Sequence, residues 1–228
     1  MQAWGDFNQD GWPDLYLTNP SGAGMLFVNA RNGTFLLSDF SAQLQLGANT
    51  RALNIGTNSS TAGVSSNMVQ QGAMWVDFNN DSWLDLYVLV DGKNALFQNL
   101  PGRGFAEVTE QAGIAGAGRS SGATWGDFDG NGYLDLFIAN GHCRSIQCQM
   151  TDGQTSIDVQ DGGSQADAQP TRDMLYLSNG HNGNNGVKFQ DVSYLLSDQH
   201  REGIGSGARF IDGDDDVDLD IVVVNKRA

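Results

Sequence analysis

The chain has 228 residues, which is long enough to form a hydrophobic core. Its formal net charge of −15 disfavours nucleic acid and anionic membrane surfaces as partners. We expect no bilayer-spanning segment, because no apolar stretch is long enough, and no signal peptide ahead of the first motif. Met1 lies only five residues before that motif, and we therefore expect a fragment, a processed form or a recombinant piece.

Four acidic loops stand out in chain order and align residue for residue. They cover residues 6–14, 77–85, 127–135 and 212–220, with oxygen-bearing side chains at positions 1, 3, 5 and 9 of each. Alternate residues of a tight loop can point several oxygens at one hard cation, and position 7 adds a backbone carbonyl, so up to four Ca²⁺ sites are predicted. The predicted ligands are Asp6, Asn8, Asp10, Trp12 and Asp14 in loop one, Asp77, Asn79, Asp81, Trp83 and Asp85 in loop two, Asp127, Asp129, Asn131, Tyr133 and Asp135 in loop three, and Asp212, Asp214, Asp216, Asp218 and Asp220 in loop four.

The residues after each loop distinguish it from an EF-hand. An EF-hand requires Glu at position 12, whereas position 12 here is apolar and lies in a short β-rich run, which predicts a strand. Position 6, where the chain turns sharply, is Gly11 and Gly132 in loops one and three but Ser82 and Val217 in loops two and four. Ordinary Asp/Asn-rich turns are the alternative, but four loops in one register favour calcium.

The interval between loops two and three shows the repeat unit most clearly. Strands are predicted at residues 86–90, 95–99 and 105–108, after the strand that leads into loop two, with turns at 91–94 and 101–104. Four strands in about 50 residues are typical of a propeller blade. Similar strand segments recur at residues 25–29, 34–37, 174–179 and 188–192.

An aromatic residue precedes each loop at a regular position. The four residues are Trp4, Trp75, Trp125 and Phe210. Aromatic side chains bury a large apolar area, and their regular positions favour packing between adjacent blades over stacking on sugars.

The whole chain is predicted to be one array of repeat units, at about residues 1–40, 71–110, 121–195 and 205–228. Two insertions, at about 41–70 and 141–172, explain the uneven spacing of the loops. In an up-and-down blade both leave from the edge opposite the acidic loops, as binding loops or as tolerated, partly disordered insertions. The fourth unit has two strands, so the predicted fold class is an all-β propeller with about three and a half four-stranded blades, incomplete or completed by another chain.

The two cysteines, Cys143 and Cys148, lie close together in the second insertion. We predict a short-range disulfide between them, which suits an oxidising compartment. Free thiols are the alternative. A zinc site that includes His142 is less favoured, because no second ligand pair is visible.

The segment Gly-Asp-Phe-Asp-Gly-Asn-Gly-Tyr-Leu-Asp-Leu at residues 126–136, together with its three copies, resembles the FG-GAP repeats of integrin α-chains. The connecting segments at residues 105–116 and 122–127 are more similar to VCBS-type repeats and to cartilage-acidic-protein/UnbV relatives. The resemblance implies a β-propeller of an extracellular, cell-surface or periplasmic protein, with Ca²⁺ in the loops that join strands one and two of each blade.

The leading functional hypothesis is an extracellular calcium-binding repeat module for adhesion, or for binding a protein or carbohydrate ligand. We predict no catalytic residues, no organic cofactor, no nucleic-acid partner and no direct membrane insertion. One alternative is a structural subunit that assembles into an oligomer or filament through its open half-blade. A less favoured alternative is a polysaccharide-active enzyme.

Overall fold

The structure is a computed structural model that describes residues 1–20, 23–44, 69–141, 172–181, 186–196 and 204–226. Within these ranges, fourteen β-strands account for most of the regular structure. Each full blade is followed by a short helical turn, which is a 3-10 helix at Asp39–Gln43, the α-helical turn α1 at Thr109–Ala112, and a 3-10 helix at Ser193–Leu195. Cys143 and Cys148 lie outside the described residues, as does most of both predicted insertions. No described helix is long and apolar enough to cross a membrane.

The first blade is a four-stranded antiparallel sheet whose strands are hydrogen-bonded in sequence order. Loop one joins the first strand to the second, and the register pairs Gly5 with Asp14. Both ends of the loop are therefore held together at one edge of the sheet. The strands are β1 (Gln2–Gly5), β2 (Asp14–Leu17), β3 (Met25–Asn29) and β4 (Phe35–Leu37).

Blades two and three repeat this strand order, and a half-blade follows them. Blade two contains β5 (Gln70–Val76), β6 (Asp85–Lys93), β7 (Ala95–Leu100) and β8 (Gly104–Glu107). Blade three contains β9 (Ala117–Gly126), β10 (Asp135–Asn140), β11 (Met174–His181) and β12 (Val187–Asp191). The half-blade pairs β13 (Ile204–Ile211) with β14 (Asp220–Lys226). The predicted all-β, propeller-like fold with an incomplete last blade is confirmed.

The predicted turn at residues 91–94 is right in part, because the pairing of β6 with β7 ends at Val88 and Ala95 and the chain reverses between them. Asp91–Lys93 continues β6 and pairs antiparallel with β9, so that blades two and three share one eight-stranded sheet. The Asp-Gly-Lys-Asn sequence is typical of a turn, but β9 provides backbone partners that local sequence does not reveal. Within this connection, the side-chain Oδ1 of Asn94 accepts the Val90 N–H at 2.9 Å.

The second strand of each full blade lies deepest. β6 buries eight consecutive residues, from Asp85 to Gly92, and β10 buries all six of its residues. Both faces of these strands are covered, which explains their nearly continuous apolar sequences. In β14, by contrast, half-buried and exposed side chains alternate, and Val222 and Val224 are 46% and 61% exposed. One face of β14 therefore lacks a neighbouring blade within the described chain.

Two of the aromatic residues that precede the loops pack between blades as predicted. Trp75 of blade two stacks on Phe7 of loop one, with ring centroids 5.9 Å apart and planes 9° from parallel. Trp125 of blade three meets Tyr87 of blade two edge to face, at 5.4 Å. These contacts bury large apolar rings between adjacent sheets and so fix how the loops of successive blades lie beside one another.

The other two aromatic residues differ from each other. Phe210 of the half-blade packs against Phe128 of loop three, with centroids 5.7 Å apart, as predicted. For Trp4 the prediction is wrong, since its side chain contacts Phe35 of its own blade and is 50% exposed. The reason is geometric, because no blade precedes blade one in the described chain.

Candidate metal centre

The carboxylate at position 1 closes each of the first three loops into a tight turn. In loop one, Asp6 accepts the Asp10 N–H on Oδ1 at 2.9 Å and the Gly11 N–H on Oδ2 at 2.8 Å. Asp77 and Asp127 make the same two bonds in loops two and three, at 2.8–3.0 Å. The first predicted ligand is therefore positioned by the loop's own backbone.

Positions 5 and 7 are joined in the same way in all four loops. The side-chain oxygen at position 5 accepts the backbone N–H at position 7, at 2.8–3.0 Å. The donors are Trp12, Trp83, Tyr133 and Asp218, and the acceptors are Asp10, Asp81, Asn131 and Asp216. Such side-chain to backbone bonds stabilise turns and orient the position-5 side chain.

Positions 4 and 6 have left-handed backbone conformations in all four loops. Gly11 and Gly132 adopt this conformation at position 6 without a steric cost. Ser82 (φ 69°) and Val217 (φ 78°) adopt it despite their Cβ atoms, at a cost on the order of 1–2 kcal/mol each. The replacement of Gly at position 6 therefore leaves the backbone turn of loops two and four unchanged.

The position-9 carboxylates of the first three loops tie each loop to the third strand of its blade. All three side chains are completely buried, and Oδ1 of each accepts a backbone N–H from that strand. The pairs are Asp14 with Asn29 at 2.8 Å, Asp85 with Asn99 at 2.7 Å, and Asp135 with Ser178 at 2.7 Å. Sequence reasoning did not identify these partners, although an Asp at the start of each apolar run was a visible signal.

Two of these buried carboxylates have an oxygen without a partner. Oδ2 of Asp14 and Oδ2 of Asp85 are buried and have no hydrogen-bond partner of good geometry. The N–H groups of Phe7 and Phe78 interact with these carboxylates and offset only part of the rise in their pKa. Oδ2 of Asp135, by contrast, accepts the equivalent Phe128 N–H at 2.7 Å. A buried, unpaired carboxylate oxygen is costly in free energy. A cation in the loop would provide the missing partner, and carboxylate oxygen is a preferred ligand of Ca²⁺. The residues present therefore fit a metal ion.

The carboxylates are grouped most tightly in loops three and four. Asp127, Asp129 and Asp135 each place an oxygen within 4.8 Å of the others, and Asp212, Asp214 and Asp216 do the same. Both groups could hold a metal ion. Loops one and two form no such three-carboxylate group in the described chain, and their position 3 is Asn rather than Asp. In loop four, Asp220 is exposed and accepts the Gly213 N–H at 3.1 Å instead of joining the group.

Burial and mutual repulsion raise the pKa of the buried position-9 carboxyls in loops one to three. The pKa of Asp14 is raised from 3.8 to about 6 and that of Asp85 to about 8, chiefly because burial disfavours the charged form. The carboxylates at positions 1 and 5 of the same loop add repulsion in both cases. Burial also raises the pKa of Asp135. A bound cation would remove this repulsion.

We expect the metal-free protein to lose stability as the pH rises from about 5 to about 8. The pKa values of Asp14 and Asp85 are higher in the folded than in the unfolded chain, so the folded chain binds more protons in this window. Stability is therefore greatest below the window and is lost as the pH rises through the folded pKa. Thermal denaturation in chelator at a series of pH values measures this, and a melting temperature that rises from pH 5 to pH 8 would contradict it.

A cation from the turn after β3 lies against loop one. Nη2 of Arg31 lies 3.0 Å from Oδ2 of Asp10, and this hydrogen bond is the main cause that lowers the pKa of Asp10. The Arg31 backbone is left-handed (φ 61°), and its N–H donates to the Asn29 side chain at 2.9 Å. The corresponding residues after β7 and in β11 are Pro101 and Gly180, which carry no charge. Among the described residues, loop one is therefore the one of these three loops in which a cationic side chain pairs with the predicted position-5 ligand.

Propeller-type blades with an acidic loop between their first and second strands define a class of repeat protein, in which the loop is the repeated candidate site. The sequence matches the FG-GAP-like repeat family at residues 6–58 and 77–138, half of the chain, and the protein belongs to this family. The matched ranges contain loops one, two and three, and they confirm the resemblance found from the motifs. No curated protein matches the chain.

Proposed function

We propose that the protein binds Ca²⁺ in its four acidic loops, through the side chains at positions 1, 3, 5 and 9 and the carbonyl at position 7. The observation that best supports this is the pair of buried, unpaired oxygens on Asp14 and Asp85. Ca²⁺ accepts six to eight oxygen ligands in flexible geometry, which suits a loop of carboxylates, amides and carbonyls. Mg²⁺ requires a tighter octahedron and retains water, so we expect weaker binding of Mg²⁺.

The four sites are not expected to be equivalent. Loops one to three each have a buried position-9 carboxylate, whereas in loop four all of the predicted carboxylate ligands are exposed. Exposed charges are screened by salt more strongly than buried ones. Loop four should therefore bind calcium with the strongest dependence on ionic strength.

Replacement of Arg31 by Gln is expected to increase the Ca²⁺ affinity of loop one about fivefold or more. The guanidinium lies against a predicted ligand, so an incoming Ca²⁺ must displace it and is repelled by its charge. Calorimetric titration of the parent and Arg31→Gln proteins with Ca²⁺ at low ionic strength measures the difference.

The matched control is Arg103→Gln, which removes an exposed positive charge from the β7–β8 turn of blade two. Within the described part of the chain, the Arg103 side chain makes no hydrogen bond or ion pair with a loop carboxylate, so the control should leave the affinity of loop one unchanged. Unchanged or weaker binding by Arg31→Gln would show that Arg31 does not compete with the metal.

We further propose that the calcium-loaded array is an interaction module that acts outside the cytoplasm on a protein or carbohydrate ligand. Membership of the FG-GAP-like repeat family supports this role. Extracellular sites can function with dissociation constants of about 10⁻⁴–10⁻³ M, because Ca²⁺ is abundant there. We assign no catalytic activity. Binding of the labelled protein to panels of glycans and extracellular proteins, with Ca²⁺ or with EDTA, tests the proposal, and binding that is absent or insensitive to EDTA would contradict it.

Self-assembly is a second candidate function, and exposed apolar side chains at both ends of the blade array favour it. Trp4 is 50% exposed on blade one, and Val224 is 61% exposed on the half-blade. Pairing of these surfaces between two copies would bury them. Analytical ultracentrifugation over a range of protein concentrations tests this, and a monomer at every concentration would contradict it.

A further inference from the structure

Successive acidic loops are joined to one another by side-chain hydrogen bonds. Nε2 of Gln9, at position 4 of loop one, donates to the Ser82 carbonyl in loop two at 2.6 Å. Nδ2 of Asn80, at position 4 of loop two, donates to the Gly132 carbonyl in loop three at 3.0 Å. In both cases, position 4 of one loop contacts position 6 of the next, although the residues are 73 and 52 positions apart in sequence.

Each acceptor peptide is also bonded to a predicted metal ligand. The peptide group between Ser82 and Trp83 accepts from Gln9 through its carbonyl and donates to Asp81 Oδ1 through its N–H, at 2.8 Å. The peptide group after Gly132 is placed equivalently, because the Tyr133 N–H donates to Asn131 Oδ1 at 2.8 Å. One peptide group therefore connects the position-5 ligand of a loop to the side chain of the preceding loop.

The donor residues have unfavourable backbone conformations. Gln9 and Asn80 are left-handed, with φ of 56° and 55°, where glycine would avoid the steric cost. Loop three has Gly130 at this position, with φ of 69°. A residue with a side chain at position 4 thus adds strain, but it also supplies the bond to the next loop. Loop three has no such side chain and cannot make this bond to loop four.

We propose that loops one, two and three bind Ca²⁺ cooperatively, with Gln9 and Asn80 as the positioning residues that couple them, and that loop four binds independently. Ca²⁺ in loop two orders Asp81, and with it the peptide group that holds Gln9 and the turn of loop one. The same relation connects loop three to loop two through Asn80. This proposal rests on the proposed calcium binding.

Terbium luminescence sensitised by tryptophan tests the coupling, with Tb³⁺ as the probe of the Ca²⁺ sites. Trp83 is at position 7 of loop two, and replacement of the other four tryptophans (Trp4, Trp12, Trp75 and Trp125) by Phe leaves it as the one sensitising tryptophan while the backbone carbonyl of residue 12 is retained. In this background, loop three is inactivated by Asp127→Asn with Asp129→Asn. We expect the Tb³⁺ affinity at Trp83 to fall about fivefold, which corresponds to one hydrogen bond of about 1 kcal/mol.

The decisive comparison repeats this inactivation in an Asn80→Gly protein. Glycine retains the left-handed turn but removes the donor, so loss of loop three should then leave the affinity of loop two unchanged. Inactivation of loop four by Asp212→Asn with Asp214→Asn is the matched control and should have no effect in either protein. Melting temperatures of all variants with excess Ca²⁺ identify any variant that does not fold.

The possible outcomes separate the two proposals. If Trp83 gives no Tb³⁺ luminescence, or if Ca²⁺ does not displace the Tb³⁺, both the calcium function and the coupling are overturned. If inactivation of loop three does not weaken Tb³⁺ binding at Trp83, the coupling alone is overturned. The coupling would also be overturned if the weakening were the same with Asn80 and with Gly at position 80.

Discussion

Excess Ca²⁺ is expected to raise the melting temperature by at least about 10 °C relative to the same protein in EDTA. A site filled at about 100 times its dissociation constant contributes about 2.7 kcal/mol to the free energy of unfolding, so two sites contribute about 5 kcal/mol. For a chain of this length, 1 kcal/mol corresponds to roughly 2–4 °C. Compensation of the buried charge on Asp14 and Asp85, together with relief of the repulsion from their neighbouring carboxylates, is the physical source of the stabilisation.

Differential scanning calorimetry with Ca²⁺, with Mg²⁺ and with EDTA measures this effect. The Mg²⁺ sample controls for general screening of the net charge of −15 and should show a smaller increase. Identical melting curves in Ca²⁺ and in EDTA would reject the proposed metal sites, and the acidic loops would then be ordinary turns.

Replacement of Asp85 by Asn is expected to change stability in opposite directions with and without calcium. In EDTA near neutral pH, the variant should be more stable than the parent by on the order of 2–3 kcal/mol, because a carboxyl with a pKa of about 8 is replaced by a neutral amide. The amide oxygen can still accept the Asn99 N–H, which Oδ1 of Asp85 accepts at 2.7 Å. In excess Ca²⁺, loss of a ligand should make the variant less stable than the parent.

Asp220→Asn is the matched control, since Asp220 has the same position in loop four but is exposed. It should give no gain of stability in EDTA. Chemical denaturation of both variants in EDTA and in Ca²⁺ measures the four free energies. If Asp85→Asn were less stable than the parent in EDTA, the buried carboxylate would be contributing to the fold without a metal, and this interpretation would be wrong.

The strand order and the positions of the loops were predictable because they depend on near neighbours in sequence. The oxygens of Asp6, for example, bond to Asp10 and Gly11, only four and five residues away. The apolar run after each loop marks a buried second strand, as β6 and β10 show. Four copies of this local pattern were sufficient to predict blades and to place a candidate ligand set on each.

Other features depended on contacts that no local pattern reveals. The Asp91–Lys93 segment has the composition of a turn and lies where the chain passes from β6 to β7, but it also forms strand pairs, because β9 provides its partners. Trp4 has the same sequence position as Trp75, but it is half exposed because no described blade packs against it. A tryptophan at the same position of the repeat is therefore packed in one blade and half exposed in another, because only one of them has a neighbouring blade on that side in the described chain.

The repeat, the all-β blades and the acidic loops follow from the amino-acid sequence alone, since their defining interactions are short in range. Which carboxylate oxygens are buried without a partner, and which loops contact one another, depends on how the blades pack. Those features depend on Asn29 reaching Asp14 and on Gln9 reaching Ser82, across 15 and 73 residues of sequence. Such contacts form only when strands and blades are packed together, because packing is what removes water from the carboxylates and brings distant turns within hydrogen-bond distance.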